Sequence, residues 1–413
     1  MTGSDTFIGG RMVTIAFVVL MAAFGLNLSI GQFFAPLHET YGWPLSTLSV
    51  AVSLNMIVWG ALQPFVGRLV DVIGPRPVIA TSAGLMGAAF LLSATIEHRW
   101  ELFLYYGVLT AVGFAGCGSM ANAVLVSRWY VRDRARMLAR SSMGLNVGQL
   151  LLLPLAGWLI YLAGTASAFA ALGAIMLLVV PLVVLGVRNS PSSVGQQPDG
   201  ADRSATTGHA ATSSTLREAV GSSDFWCATL GFVTCGYSLY MVATHLPGFA
   251  VDLGGSEALG GNLLGIAAGA SAVSMWLMGQ LAPRYGKKPL LIALYAVRAG
   301  VLAWLAMATE LWQLYVFAIV YGAVSMPIIP LKTGLIGDRF GAGGLGAILG
   351  TAWFAHQVLA AVGVYVGGAV RDATGTYAPA FASAAVLLVL GTAATVAFRG
   401  ITPPRPAAAV DRA

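Results

Sequence analysis

Long apolar blocks recur along the whole chain, separated by short polar stretches that hold most of its charged residues. Each block has about 20 residues or more, the length that an α-helix needs to cross the ~30 Å hydrocarbon core of a bilayer. Of the 413 residues, 57% are hydrophobic and 9% are charged, whereas soluble domains are about 25% charged. The pattern predicts a multi-pass membrane protein and excludes a soluble enzyme, a disordered regulator and a secreted disulfide scaffold.

The blocks predict an all-α membrane protein with twelve transmembrane helices in two six-helix bundles. They lie at about 12–36, 46–67, 78–96, 101–125, 138–162, 166–187, 225–250, 259–282, 289–309, 312–336, 344–370 and 379–398. The polar stretch 188–223 is rich in Ser, Gly, Gln and Pro, which is typical of a flexible linker, with one short turn at 216–220. We therefore expect an N-terminal bundle at 1–187 and a C-terminal bundle with a short cytoplasmic tail at 224–413.

The positions of the basic residues predict the orientation in the membrane. With a cytoplasmic N-terminus, 18 of the 22 Lys and Arg residues fall on the cytoplasmic side, two (Arg99 and Arg371) fall outside, and two (Arg298 and Lys332) lie within spans. Cytoplasmic loops carry the excess of basic residues, so both termini are expected inside. The sequence contains no P-loop, zinc-ligand spacing or Ser/His/Asp set, so we expect no enzyme activity, catalytic residue, cofactor, metal site or nucleic-acid partner.

Two loops share a pattern at matching positions in the two halves. They are Gly67–Pro77, with the sequence GRLVDVIGPRP, and Gly279–Pro289, with the sequence GQLAPRYGKKP. Internal repeats are common in secondary transporters, whose substrate site lies between the repeats near the bilayer midplane. The repeat favours a transporter.

The first copy resembles the loop 2–3 signature of the major facilitator superfamily, G-x-L-x-D-x-x-G-x-R. The resemblance implies a cytoplasmic latch in which Asp71 approaches a helix N-terminus of the other half, where the helix dipole is positive. The second copy has Pro283 in place of the Asp, so the latch is assigned to the first copy. The other latch candidates of this motif are Gly67, Arg68, Gly74 and Arg76.

Three more segments are similar to the bacterial monocarboxylate-porter-like and oxalate/formate-antiporter-like branch of this superfamily. They are 31–46, the basic segment Ser127–Arg134, and His245–Gly254. The similarity covers almost the whole chain and implies alternating access by two bundles. Its best-known members hold a carboxylate with an Arg in span eight, and 260–282 has no basic residue. Within the basic segment, Arg128 and Arg134 either belong to the latch or only set the topology.

Ionisable groups within a membrane are costly, so each one is a functional candidate. Arg298 and Lys332 are candidates for attracting an anionic substrate. The structural alternative for Arg298 is a cation hydrogen-bonded between packed helices. For Lys332 it is a side chain that reaches the cytoplasmic end of its span. His356, beside Gln357, either carries protons or contacts an anion, or else is a packed neutral imidazole. His245 either gates the external side or meets substrate, or caps the end of its helix.

Uncharged polar side chains at cavity-type positions form a second group of candidates. Each either orients a small ligand in a mostly apolar pocket or links neighbouring helices. They are Asn27, Gln32, Asn122, Asn146, Gln149, Tyr237, Tyr240 and Tyr321.

All 16 acidic residues fall at predicted span ends, in loops or in tails. Positive charge without a buried acid favours an anion by Coulomb attraction. We therefore expect a monomeric inner-membrane transporter of a mono- or dicarboxylate, coupled to protons through His356, His245 or the substrate itself, with anion exchange open. The alternatives are an exporter of a neutral or amphipathic compound and a transport-inactive membrane sensor with this fold.

Overall fold

The computed structural model describes residues 7–43, 45–199, 214–255, 257–341 and 344–400. Within these ranges, 11 helical stretches are long and apolar enough to cross a membrane. One of them, Arg134–Gly186, has 53 residues and contains Gly164 at a φ of 82°, where the helix breaks. At 1.5 Å per residue it would be about 80 Å long, more than two bilayer cores, so it makes two crossings. The described chain therefore crosses the membrane twelve times.

We number the twelve crossings α1–α12 in chain order. They are α1 (Gly9–Ser29), α2 (Leu45–Ile73), α3 (Pro75–Ser93), α4 (Arg99–Trp129), α5 (134–163), α6 (165–186), α7 (Ser223–Asp252), α8 (Glu257–Tyr285), α9 (Lys287–Leu305), α10 (Leu311–Phe340), α11 (Leu345–Thr374) and α12 (Ala378–Ala397). A 3₁₀ turn at Ile30–Phe33 and a short helix at Phe34–Tyr41 follow α1. The described residues contain no strand beyond one isolated bridge between Tyr130 and Asp199, which confirms the predicted all-α fold.

Glycines allow close helix packing inside each half. In the first half, a Cβ added to Gly148 of α5 would lie 2.1 Å from the carbonyl oxygen of Met21 in α1. In the second half, a Cβ added to Gly322 of α10 would lie 2.2 Å from the carbonyl oxygen of Ala267 in α8. Lipid tails are as apolar as the side chains, so close packing of small residues replaces the hydrophobic drive that holds soluble helices together.

The two repeated loops build equivalent turns at one end of the molecule. Gly74 between α2 and α3 has a φ of 91°, and Gly286 between α8 and α9 has a φ of 82°. Glycine adopts this region of positive φ without the steric cost that a Cβ brings. We call this end the basic end. It consists of the two turns, the start of α1, the α4–α5 and α10–α11 connections, and the last residues of α6 and α12.

The first part of the interdomain segment is fixed against the basic end. The indole Nε1 of Trp129 donates to the carbonyl oxygen of Arg188 (3.1 Å), and Asp199 Oδ2 accepts from the N–H of Asp133 (2.9 Å). Hydrogen bonds thus join both ends of residues 188–199 to the basic end. Farther along, the short turn expected at 216–220 is a helix, Leu216–Val220, and residues 200–213 lie outside the described ranges.

Candidate functional site

The halves meet along α2 and α11 at the basic end, and glycines set the distance between these helices. A Cβ added to Gly67 would lie 2.1 Å from the carbonyl oxygen of Gly346, and one added to Gly350 would lie 2.3 Å from that of Gln63. The close approach continues to mid-depth, where a Cβ on Gly60 would lie 3.0 Å from Cβ of Gln357. We call this contact the α2–α11 seam.

Asp71 bonds across the seam to the start of α11. Its Oδ1 accepts from the N–H of Gly346 (2.9 Å) and its Oδ2 from the N–H of Ala347 (2.8 Å). These N–H groups belong to the first turn, which has no intrahelical acceptors and carries the positive end of the helix dipole. Arg128 of α4 donates to the carbonyl oxygen of Val70 (3.1 Å) and holds the end of α2 from the other side. The geometry fits a latch, and the latch role stays a prediction.

The first repeated loop contains three more latch candidates, namely Arg68, Gly74 and Arg76. Arg76 donates from Nη2 to the carbonyl oxygen of Val184 (2.5 Å), and its N–H bonds to Asn189 (2.9 Å). It therefore bonds within the N-terminal half. Gly74 forms the α2–α3 turn, and Arg68 is exposed on α2.

A second seam joins α5 to the C-terminal half through one acid. Asp338 of α10 accepts from Nη1 of Arg134 in α5 (2.9 Å) and also pairs with the ammonium of Lys287 in α9. Nearby, a Cβ added to Gly279 of α8 would lie 2.8 Å from Cβ of Ala139 in α5. Asp338 and Lys287 are not among the site residues expected from the sequence. Their only sequence signal is their place at the basic ends of spans, opposite the basic segment after α4.

Replacement of Asp71 by Asn tests the latch. The variant loses the charge and one acceptor, and hydrogen bonds to charged groups contribute about 1.5–3 kcal/mol each. We expect the population that is open at the basic end to rise about tenfold, measured as the distance between spin labels at the exposed residues Arg132 and Arg284. Asp199→Asn is the matched control, because Asp199 also accepts two main-chain N–H bonds, both within one half. Equal distance distributions in the two variants would contradict the latch.

Aromatic rings from both halves meet at mid-depth, above the seam. Trp59 of α2 and Trp353 of α11 have ring centroids 6.2 Å apart. The ring of His356 lies 5.0 Å from Trp353 and 4.4 Å from Phe232 of α7. We call these residues, together with Gln357, the central cluster.

His356 and Gln357 leave two polar atoms of this cluster without partners. Nδ1 of His356 bonds to Oε1 of Gln357 (2.9 Å). Because an amide oxygen only accepts, the proton of this bond is on Nδ1, and Nε2 of the neutral ring is a proton acceptor. Within the described chain, neither Nε2 of His356 nor Nε2 of Gln357 has a hydrogen-bond partner. His356 can therefore accept a proton, and Gln357 can donate a hydrogen bond.

Arg298 lies inside the C-terminal bundle and is bonded to its neighbours. Nη1 contacts the sulfur of Cys235 in α7 (3.1 Å), and Nη2 donates to the hydroxyl of Tyr321 in α10 (3.0 Å). The guanidinium carbon also lies 5.0 Å from the centre of the Tyr321 ring. Tyr321 in turn donates to the carbonyl oxygen of Ser238 (3.2 Å). These contacts are those of a cation held between packed helices.

Lys332 is also buried in the C-terminal bundle and does not reach the basic end. Its Nζ lies 3.4 Å from Oγ1 of Thr395 in α12 and 5.2 Å from the centre of the Tyr295 ring in α9. The helix α10 is interrupted just before Lys332. The first helix ends at Ser325 and the next begins at Ile328, after Pro327.

Several other candidates link helices. Tyr237 pairs with Ser383 of α12 (2.8 Å), and Nε2 of His245 pairs with the carbonyl oxygen of Val364 in α11 (2.9 Å). The main-chain carbonyl oxygen of Asn27 accepts from the hydroxyl of Tyr106 (2.9 Å), whereas its side-chain Oδ1 has no hydrogen-bond partner in the described part of the chain. The remaining candidates are the half-buried Tyr240, whose ring lies 6.3 Å from that of His356, the half-buried Gln149, the buried Asn146 and the exposed Gln32.

Asn122 stabilises a break in α4 that the sequence analysis did not predict. One helical segment ends at Cys117 and the next begins at Ser119, with Gly118 extended at a ψ of −171°. Nδ2 of Asn122 donates to the carbonyl oxygens of Cys117 (2.8 Å) and Gly118 (3.0 Å), the two residues at the break. The signal was a Gly-Cys-Gly-Ser run in the middle of an apolar block, since glycine and serine favour helix ends.

Two six-helix bundles that close on each other at one end, with a polar cluster between them, are the architecture of a membrane transporter. The chain belongs to the Major Facilitator Superfamily, whose sequence profile matches residues 14–299. Both the predicted family and the predicted fold are confirmed. The protein is a multi-pass membrane transporter.

Relatives cover most of the chain at low identity. The chain is 26% identical over 385 residues to the uncharacterised MFS-type transporter YcxA of Bacillus subtilis, covering 89% of this chain and 88% of YcxA. It is 26% identical over 392 residues to monocarboxylate transporter 13 of Bos taurus, covering 93% and 88%. To the oxalate:formate antiporter of Oxalobacter formigenes it is 22% identical over 321 residues, covering 73% and 71%.

A solved structure shows the same fold. The proton:xylose symporter XylE, bound to 6-bromo-6-deoxy-D-glucose, superposes with a TM-score of 0.76 at 16% identity and covers 95% of this chain and 96% of its own. At this identity the likeness shows the fold alone.

Proposed function

We propose that the protein, as a monomer, carries a small organic anion, a mono- or dicarboxylate, across the bacterial inner membrane by alternating access and together with protons. The observation that carries the proposal is the sign of the buried charge. Arg298, Lys332 and His356 are 0%, 1% and 0% exposed in the interior of their helices. Every described carboxylate side chain lies in a loop or within a few residues of a helix end. An interior with cations and no acid attracts an anion, most strongly where water is scarce.

The relatives support a carboxylate as the substrate. Among proteins that cover most of this chain, one is named a monocarboxylate transporter and another an oxalate:formate antiporter. Small carboxylates are the chemistry that these names share. They agree with the charge of the interior, which is an independent observation.

The described conformation is one of the two end states of the proposed transport cycle. The excess of basic residues assigns the basic end to the cytoplasm, with both termini inside. The two seams close that end, and on this proposal the conformation is the outward-facing one, which the Asp71 latch stabilises. Release of the seams lets the bundles rock and opens the site to the cytoplasm.

His356 provides the coupling to protons. A buried imidazole that gains a proton at Nε2 needs an anion nearby, because an unpaired charge in an apolar interior is costly. The proton therefore favours binding of the carboxylate, and the carboxylate equally favours binding of the proton. This reciprocity couples the two without a buried acid.

Uptake into proteoliposomes tests the proposal. With the lumen more alkaline than the medium, we expect radiolabelled lactate, oxalate or formate to accumulate, and a protonophore to abolish the accumulation. The rate of gradient-driven uptake by His356→Gln should be about 100-fold below that of the parent. Exchange of labelled for unlabelled substrate should be retained. His98→Gln is the control, because His98 is exposed in the α3–α4 connection. Transport of neutral amphipathic compounds but of no carboxylate would favour the exporter.

A further inference from the structure

The break in α4 presents a helix N-terminus at the middle of the membrane. The segment Ser119–Trp129 has 11 residues and ends at the basic end. Ser119 is therefore about 15 Å from that end, which is half of the ~30 Å core. The first N–H groups of the segment, from Ser119, Met120 and Ala121, have no intrahelical acceptors and carry the positive end of the dipole.

Two buried side-chain donors without partners lie at this N-terminus. Ser119 is 8% exposed and Trp59 is 4% exposed. In the described part of the chain, neither Oγ of Ser119 nor Nε1 of Trp59 has a hydrogen-bond partner. The indole Nε1 lies 3.9 Å from the point that a Cβ on Gly118 would occupy, so it is beside the break. Unpaired polar groups in a membrane interior are costly, which indicates that a ligand occupies these donors during the cycle.

The chemistry of the break fits an anion with several acceptor sites. The main-chain N–H groups, the Ser119 hydroxyl and the Trp59 indole all donate. A carboxylate offers two oxygens with about four acceptor positions. Half-helix N-termini of broken transmembrane helices point at the anionic groups of substrates in several transporters. Gly118 adds no side chain beside these donors.

We propose that the N-terminus of Ser119–Trp129 binds the carboxylate of the transported anion, with Ser119 and Trp59 as its side-chain donors. The proposal rests on the proposed function and assigns the place at which the anion binds. Asn122 is a positioning residue, since its amide holds the break open. Trp59 also contacts Trp353, which is next to His356, so the anion and the proton are taken up on the two sides of one tryptophan pair.

Ligand-induced thermal stabilisation of the purified full chain tests the site. The probes are oxalate and lactate, with lactamide as the neutral analogue and phosphate and sulfate as other anions. Ser119→Ala and Trp59→Phe should each raise the half-stabilising concentration of oxalate about tenfold, as expected for one lost hydrogen bond to a charged group. Trp59→Phe keeps a ring in the cluster and removes only the donor. As a check on folding, the melting temperature of each variant without ligand should lie within about 3 °C of the parent's.

Ser127→Ala is the matched control. Ser127 is a buried serine on the same helical segment, its hydroxyl is also unpaired among the described residues, and it lies at the far end from the break. We expect the control to bind oxalate as the parent does. As a direct readout, the ¹⁵N-indole resonance that disappears in Trp59→Phe should shift when oxalate is added to the parent.

The outcomes separate the site from the proposed function. If oxalate and lactate stabilise the parent and both break variants equally, the site is wrong and carboxylate transport stands. Equal stabilisation by phosphate or sulfate would overturn the assignment to a carboxylate. If no carboxylate stabilises the parent or enters proteoliposomes, the proposed function fails and the site fails with it.

Discussion

Leucine in place of Gly346 is expected to abolish transport while both bundles remain folded. A Cβ at this position would lie 2.3 Å from the carbonyl oxygen of Gly67 and 2.8 Å from Oδ1 of Asp71. The first of these atoms is main chain in a packed helix and has no room to shift. Overpacking typically costs about 1–3 kcal/mol, which displaces an equilibrium roughly 5- to 150-fold. Only the state closed at the basic end contains this contact, so the variant populates the open state and stops cycling.

Three measurements check this result on one preparation. Carboxylate uptake should fall to background, the Arg132–Arg284 spin-label distance should lengthen, and the melting temperature should stay near that of the parent. Gly300→Leu is the control, because Gly300 is exposed on α9 and an added Cβ meets no atom within 4 Å. Uptake by Gly346→Leu at the parent's rate would show that the α2–α11 seam has no part in the cycle.

Neutralising the two buried cations should weaken anion binding more than any change at the surface. For an anion bound about 10 Å from a cation, at an effective dielectric constant of ~20, one charge contributes about 1.7 kcal/mol. Arg298→Met and Lys332→Met should therefore each raise the half-stabilising concentration of oxalate roughly 15-fold, and the double variant more than 100-fold.

Both variants should fold, because the hydroxyl groups that bond to Arg298 and Lys332 in the parent also have other hydrogen-bond partners. Tyr321 still donates to the carbonyl oxygen of Ser238 (3.2 Å), and Thr395 still donates to that of Gly391 (2.8 Å). Methionine is unbranched and fills the volume of either side chain. Arg132→Gln removes the same unit of charge from an exposed loop position and should leave binding unchanged. Parental affinity in the double variant would make both cations purely structural and remove the main support for an anionic substrate.

The fold was predictable because a bilayer leaves the chain few alternatives. Spans of about 20 apolar residues can be counted, and the repeated loop marks the two halves. Gly74 and Gly286 could be paired by sequence alone, and each occupies the same kind of turn. The close approach of Asp71 to the other half also followed from a recognised motif.

The site was less predictable because its contacts join distant segments. The depth of Arg298 and Lys332 in the membrane could be predicted from their positions in their spans. The direction in which each side chain faces could not, because it depends on how α7, α9, α10 and α12 pack. Asp338 looked like an ordinary residue at a helix end until Arg134 of the other half was found beside it. The break at Gly118 contains no proline, and glycine within an apolar block is compatible with a continuous helix.

The two seams differ in which amino-acid substitutions they can tolerate during evolution. Asp71 is received by the main-chain N–H groups of Gly346 and Ala347. Every residue except proline supplies such a donor, so position 347 is free to vary in side-chain identity without losing its half of the bond. The other seam depends on three side chains, and loss of Asp338 strands both Arg134 and Lys287. The first closure thus tolerates single substitutions at position 347, while the second requires compensating pairs.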